Sequence, residues 1–181
     1  MYILHSYTDV RPLSQIDTLH AMIEIARMYG PDFVSRYIYK EDDTAYHRFL
    51  LDYWDREWGN IINIEQDIVP SPRMINELLE CPYFLCCFPY RLQNGELSVG
   101  YPDDELTWKS YGQVPEYADF SGLGLTKFSP TARHSIDLGN YPVDQYKWWF
   151  LDTWIYKQLH MRNLKYHVHS PEVPHNRNKE Y

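Results

Sequence analysis

The chain has 181 residues, enough for one domain that buries a continuous core without disulfide or metal staples. A hydrophobic share of 44% and a charged share of 23% exclude a disordered chain. The net charge of −8, from 17 basic and 25 acidic residues, argues against a protein that coats duplex nucleic acid, which needs a basic stripe. The same balance means that an anionic substrate needs local help from an arginine, a helix N-terminus or a divalent metal. No apolar run reaches the roughly 18–20 residues of a membrane span. The opening MYILHSYTDVRP lacks a basic start and its apolar stretch stops at His5, so it does not read as a signal peptide. Phe, Trp and Tyr supply 17% of the residues, led by Tyr; such amphipathic rings serve cores and also surfaces that meet bases and sugars.

In chain order, Tyr2 to Leu4 reads as a buried strand running into the polar loop His5 to Asp9. After Pro12, Ile16, Leu19, His20, Ile23, Ala26 and Arg27 recur at helical spacing, and Gly30-Pro31 ends the helix. Phe33 to Tyr39 alternates as a strand, followed by the acidic turn Glu41-Asp42-Asp43. Asp43 or Thr44 is placed to cap a helix through about Trp58, with Tyr46, Phe49, Leu50 and Tyr53 on one face. Ile61 to Ile64 is a nearly all β-branched strand ending in Glu65-Gln66-Asp67. Ser71-Pro72 opens a helix to Glu80. Tyr83 to Phe88 is a further apolar strand, residues 91–116 read as loops with short strand pieces, and Phe120 to Phe128 is extended and glycine-punctuated. A Trp-rich helix from Asp144 to Leu159 and a strand from Tyr166 to His169 follow. Alternating strands and helices are the signature of a single-domain α/β fold, Rossmann-like, with a mostly parallel sheet flanked by helices. In such sheets ligands bind beyond the carboxyl ends of the strands, which points at residues 7–11 and 65–67.

The sharpest chemical signal is INIEQDIVP. An apolar strand delivers Glu65 and Asp67 at spacing two, and alternation puts residues i and i+2 on one side of an extended chain. Two hard oxygen donors suit Mg²⁺ or Mn²⁺, which keep open positions for water and phosphate. A second group, His167, His169 and His175, stands near the C-terminus with no cysteine close in sequence. A three-histidine zinc site there requires a tight fold-back; one imidazole joining the Glu65/Asp67 ion from across the sheet is the simpler expectation. The cysteines Cys81, Cys86 and Cys87 cannot all pair and are expected as buried free thiols in a reducing cytoplasm, their spacing alone matching no zinc pattern.

A strand ending in an acidic x-Asp motif, a proline-opened helix, a Gly-x-Gly strand at Gly122 and Gly124, a Trp-rich helix carrying Leu151-Asp152 and a late histidine together resemble the nucleotide-diphospho-sugar glycosyltransferases of the A-type fold. The resemblance implies a single catalytic domain over 1–181, with a nucleotide-binding half at 1–90 and an acceptor-side half at 91–181. It implies Asp67 and Glu65 as ligands of Mn²⁺ or Mg²⁺, completed by His175 with His169 as runner-up. A UDP-sugar or GDP-sugar donor would lie against Tyr7, Thr8, Asp9, Arg11, Glu65 and Gln66. Asp152 would be the general base that takes a proton from the acceptor hydroxyl, although the family carries two adjacent acids where this chain has Leu151-Asp152. Gly122 and Gly124 would let the chain approach the acceptor sugar, and Trp148 and Trp149 would offer it a stacking platform. The acceptor would be a carbohydrate, lipid or protein, and the enzyme cytoplasmic, with a homo-oligomer compatible. Two other classes remain open: a nucleotidyltransferase or similar metal-dependent phosphate-ester enzyme, disfavoured because HSYTDVRP has no glycine to cradle phosphate, and a non-catalytic carbohydrate- or protein-binding module.

Overall fold

The structure is a computed structural model that describes residues 2–8, 12–30, 34–39, 44–55, 59–103, 107–146 and 150–176. Strands β1 (Tyr2–Thr8), β2 (Val34–Tyr39) and β3 (Ile61–Ile64) alternate with helices α1 (Pro12–Tyr29) and α2 (Ala45–Trp54), and α3 (Pro72–Glu80) leads to β4 (Leu85–Cys87). A run of strands follows: β5 (Val99–Pro102), β6 (Trp108–Ser110), β7 (Tyr117–Ala118), β8 (Phe120–Ser121) and β9 (Leu125–Phe128). Helices α4 (Pro130–His134), α5 (Val143–Tyr146) and α6 (Leu151–His160) then precede the last strand, β10 (Tyr166–Val168). No helix among the described residues is long and apolar enough to cross a membrane.

The main sheet has seven strands in the order β2-β1-β3-β9-β4-β10-β7, and a small sheet pairs β6-β5-β8. It is mixed, which corrects the expectation of a mostly parallel sheet. β1 runs parallel to β2 and β3, and β10 parallel to β4, but β9 enters antiparallel between β3 and β4, and β7 antiparallel beside β10. The physical reason lies in the Phe120 to Phe128 stretch. Instead of one strand it is two, broken at 122–124, so that β8 joins the small sheet and β9 turns back into the large one. Gly122 and Gly124 pass so close to Tyr90 that a Cβ at either would overlap it, and at 124 would also meet Ile68. Only glycine fits at this crossing of the core.

Both faces of the sheet are covered, which explains why β3 is apolar on both faces but for Asn63. Ile61 faces a core built with Phe49, Leu50 and Trp54 of α2 and Leu151, Ile155 and Leu159 of α6. Ile62 and Ile64 face the other core, with Met22 and Ile25 of α1 and Ile75 and Leu78 of α3. On α1 the buried stripe is Thr18, Ala21, Met22 and Ile25, while Ile16 and Ile23 are each 44% exposed, so the helical face expected through them is rotated. The Ser71 cap forms as expected, its Oγ accepting from Met74 N at 3.3 Å. The expected single helix from Asp144 to Leu159 is two pieces, α5 and α6, separated by residues 147–149, which lie outside the described set. The cysteines differ from expectation too: Cys81 and Cys86 are joined in a disulfide, and Cys87 is the free, buried thiol.

Candidate functional site

β1 and β3 are parallel, with Leu4 opposite Asn63 and His5 opposite Ile64, so β3 ends beside the middle of β1, which runs on to Thr8. Beyond that end, Ser6 Oγ donates to Gln66 Oε1 at 3.3 Å. Just past β3, the chain turns: Ile68 N donates to Glu65 O at 3.2 Å, so residues 65–67 leave the extended conformation. The turn corrects the strand-alternation argument. Glu65 and Asp67 stay close enough for their charges to interact, yet each takes a different partner.

Asp67 meets His175. Asp67 Oδ2 and His175 Nε2 are 3.4 Å apart, and the two side chains are only 6% and 7% exposed. The C-terminal segment is laced onto the turn by its backbone: Val69 N donates to Pro174 O at 2.9 Å, Asn176 N donates to Asp67 O at 2.8 Å, and Ile68 bridges His175. The other imidazole nitrogen, Nδ1, lies 2.8 Å from Arg91 O, which makes Nδ1 the donor and turns Nε2 toward the carboxylate. Burial alone would lower the basicity of this ring, but the hydrogen bond to Asp67 and its charge outweigh it and raise the His175 pKa.

Glu65 meets Tyr46 of α2, whose hydroxyl donates to Oε1 at 3.2 Å. Asn63, the lone polar residue of β3 and fully buried, orients that hydroxyl: its Nδ2 donates to Tyr46 Oη at 2.8 Å and to Leu123 O at 2.6 Å. The backbone of the glycine-flanked turn also accepts from Glu65 N through Gly124 O at 2.9 Å. At its far end α2 is held by the buried Arg133, which donates to Tyr53 O at 3.1 Å and Gly59 O at 2.8 Å. Burial, then the neighbouring charges of Asp67 and Asp152, push the Glu65 carboxyl up to about 8, against smaller opposing effects from Tyr46 and His175. Tyr46 and Asn63 were not singled out from sequence; the only signal was one amide inside an otherwise β-branched strand.

Asp152 sits in the first turn of α6 and is close enough for its charge to raise Glu65. Its Oδ1 accepts from Thr153 N at 2.7 Å, and burial lifts its carboxyl to about 6 despite that bond. The structure therefore brings Glu65, Asp67, His175 and Asp152 to one region, with two acids whose ionisation is displaced toward neutrality. His169 is not among them: its Nδ1 lies 3.9 Å from Glu77 and its ring stacks on Phe88. Tyr7 and Thr8 extend β1 rather than start a loop, opposite Ile38 and Tyr39, and their side chains lie outside the described residues. Asp9, Arg11, Trp148 and Trp149 lie outside them altogether.

The donor set fits a hard divalent ion in part. A carboxylate and an imidazole 3.4 Å apart suit neighbouring positions of one Mg²⁺ or Mn²⁺, which leaves the rest of its shell to water and phosphate oxygens. Glu65 does not close a three-ligand shell with them. Its carboxyl is raised first by burial and only then by the neighbouring charges of Asp67 and Asp152. A cavity of about 300 Å³ lined by Arg91, Leu92, Glu172, Val173, Pro174 and His175 opens beside this pair. Its arginine is already committed, Nε and Nη2 donating to the two Glu172 oxygens at 2.9 and 2.7 Å.

No family model matches the chain, and no curated protein does. Among solved structures it is similar to the crystal structure of A197 from STIV, with a TM-score of 0.61 and 14% identity over 96% of this chain and 83% of that one. At that identity the likeness speaks for the mixed α/β fold.

Proposed function

We propose that this chain is a metal-dependent glycosyltransferase of the A-type fold, moving a sugar from a UDP-sugar or GDP-sugar to an acceptor hydroxyl. The observation that carries the reading is the Asp67–His175 pair at the carboxyl end of β3, with Glu65 and Asp152 drawn to the same region. Asp67 and His175 would hold Mn²⁺ or Mg²⁺. Bound there, the ion supplies the positive charge that offsets the negative charge growing on the departing diphosphate. That help matters for a chain of net charge −8. Asp152 takes the proton from the acceptor hydroxyl; a carboxyl titrating near 6 is ionised at neutral pH yet more basic than an ordinary aspartate. Glu65, held by Tyr46, whose hydroxyl Asn63 orients, would fix the turn beside the ion. Gln66, bonded to Ser6, ties that turn to the edge of β1 where the nucleoside would lie.

The test is calorimetric binding of UDP and of GDP with and without Mn²⁺, to the wild type and Asp67→Ala. Added metal should tighten nucleotide binding at least about tenfold in the wild type and leave the variant unchanged. Equal binding with and without Mn²⁺, or an Asp67→Ala variant that binds as the wild type does, sinks the reading.

A further inference from the structure

On the other side of β9 the fold assembles a group of soft and borderline donors. Cys81 closes α3 and Cys86 lies in β4, four residues separating them, while His167 and His169 come from β10. The parallel register sets Cys86 directly beside His167, and strand alternation brings His169 to the same side as His167. Donor atoms of all four residues lie within 4.8 Å of one another, and among the described residues they form the only such group of three or more.

We infer that Cys81, Cys86, His167 and His169 form a structural zinc site when the two cysteines are reduced. Zinc takes four such ligands tetrahedrally at about 2.0–2.3 Å, so donor-to-donor edges come to roughly 3.3–3.8 Å. Cys81 Sγ and His167 Nδ1 are already 3.6 Å apart. The Cys81 and Cys86 Cα atoms are 7.1 Å apart, beyond the roughly 4.4–6.8 Å usual for a disulfide and comfortable for two thiolates on one ion. His169 supplies an independent pointer: its Nε2 is buried without a hydrogen-bond partner, while its Nδ1 faces Glu77 across 3.9 Å. A histidine that turns one nitrogen to a carboxylate and leaves the other unpartnered has the arrangement of a zinc ligand. The rings are packed for the role, His167 stacked on Tyr83 with centroids 4.5 Å apart and His169 on Phe88 at 4.9 Å.

Charge agrees. Lys127 of β9 is 2% exposed, donates its Nζ to Cys81 O at 2.5 Å and is felt by both histidines. Two thiolates offset the two charges of Zn²⁺, while Glu77, beside His169, is also paired with Arg73 at 2.7 Å. As the ion enters, two thiols become two thiolates and release two protons to solvent. With all four positions taken by protein, the ion would do no chemistry. It would pin β10 to β4 and α3, fixing the strand from which the chain runs on to His175.

The full chain, purified under a phosphine reductant that converts the disulfide to two thiols, should carry an equimolar amount of zinc by elemental analysis. Replacing zinc by Co²⁺ should give a thiolate-to-cobalt charge-transfer band and the visible bands of a tetrahedral ion. Cys86→Ser and His169→Gln should each weaken zinc binding by at least about 100-fold, and Glu77→Gln by about 10–100-fold. Asp67→Ala should retain zinc and the cobalt spectrum, which separates this site from the one at β3. A reduced wild type that takes up no zinc, a cobalt spectrum without the thiolate band, or zinc lost in Asp67→Ala and kept in Cys86→Ser would each overturn the inference. If Cys86→Ser does not fold, the wild-type spectrum decides.

Discussion

Among the described residues, two clusters of chemistry-bearing side chains lie either side of β9 and are built in opposite ways. At the end of β3, hard donors stand on a turn: Asp67 with His175, and Glu65 and Asp152 as acids displaced toward neutrality. Across β9, sulfur and imidazole donors converge from α3, β4 and β10 into a group that protein alone can fill. In the proposed function, the first would leave coordination positions free for substrate. The second leaves none, as a site that holds structure should. Both depend on the C-terminal segment, because β10 carries His167 and continues to the bridge between Ile68 and His175. On both proposals, β10 and the segment that follows it would serve a rigid anchor first and a reactive edge seven residues on.

The comparison can be broken most decisively at Asp67. Asp67→Ala should lower kcat/KM for sugar transfer on the order of 1000-fold, about 4 kcal/mol of charge stabilisation, while zinc content stays equimolar. Loss of both together would mean one coupled centre rather than two. Asp152→Asn comes next, with a fall in kcat on the order of 100-fold and nucleotide affinity held within about twofold. Because the base acts ionised and titrates near 6, wild-type kcat should rise with pH through about 6, and this limb should vanish in the variant. A retained limb would take the role away from Asp152.

Glu65 sharpens the contrast through stability. Its carboxyl is raised in the folded chain to about 8 from 4.5, so the folded state holds a proton that the unfolded state has lost between those values. The stability that Glu65 contributes should therefore be full below about pH 4.5 and fall as pH rises toward 8. Glu65→Gln should flatten that slope in urea titrations at pH 5 and pH 8, melting above the wild type at the higher pH. An unchanged slope would mean that burial does not govern this acid. Adding Mn²⁺ at pH 8 should recover part of the wild type's loss. The smallest effect is expected at Tyr46→Phe, about 1 kcal/mol of destabilisation from the lost hydrogen bonds to Glu65 and Asn63, with zinc content untouched.

How legible each feature was follows from how local it is. The three-strand start β1-α1-β2-α2-β3 and the proline-opened α3 could be read because periodicity, caps and breakers act over a few residues. The buried face of α1 was misread because its apolar residues wrap the helix and only packing chooses among them. Strand direction left no trace at Leu125–Phe128, since an extended apolar segment looks the same parallel or antiparallel. The acids past β3 stood out by position at a strand end, but their separate partners emerged only from the turn at 65–67.

By itself, then, the sequence determined an α/β fold, a covered central strand and an acidic strand end, because hydrophobic alternation and turn chemistry are local. The tertiary structure decided the mixed sheet, the pairing of Asp67 with His175 and the meeting of Cys81 with His167 across 86 residues. Such contacts are set by sheet order and register. Those are chosen by packing both faces of the whole sheet at once, and no short window of residues contains that information.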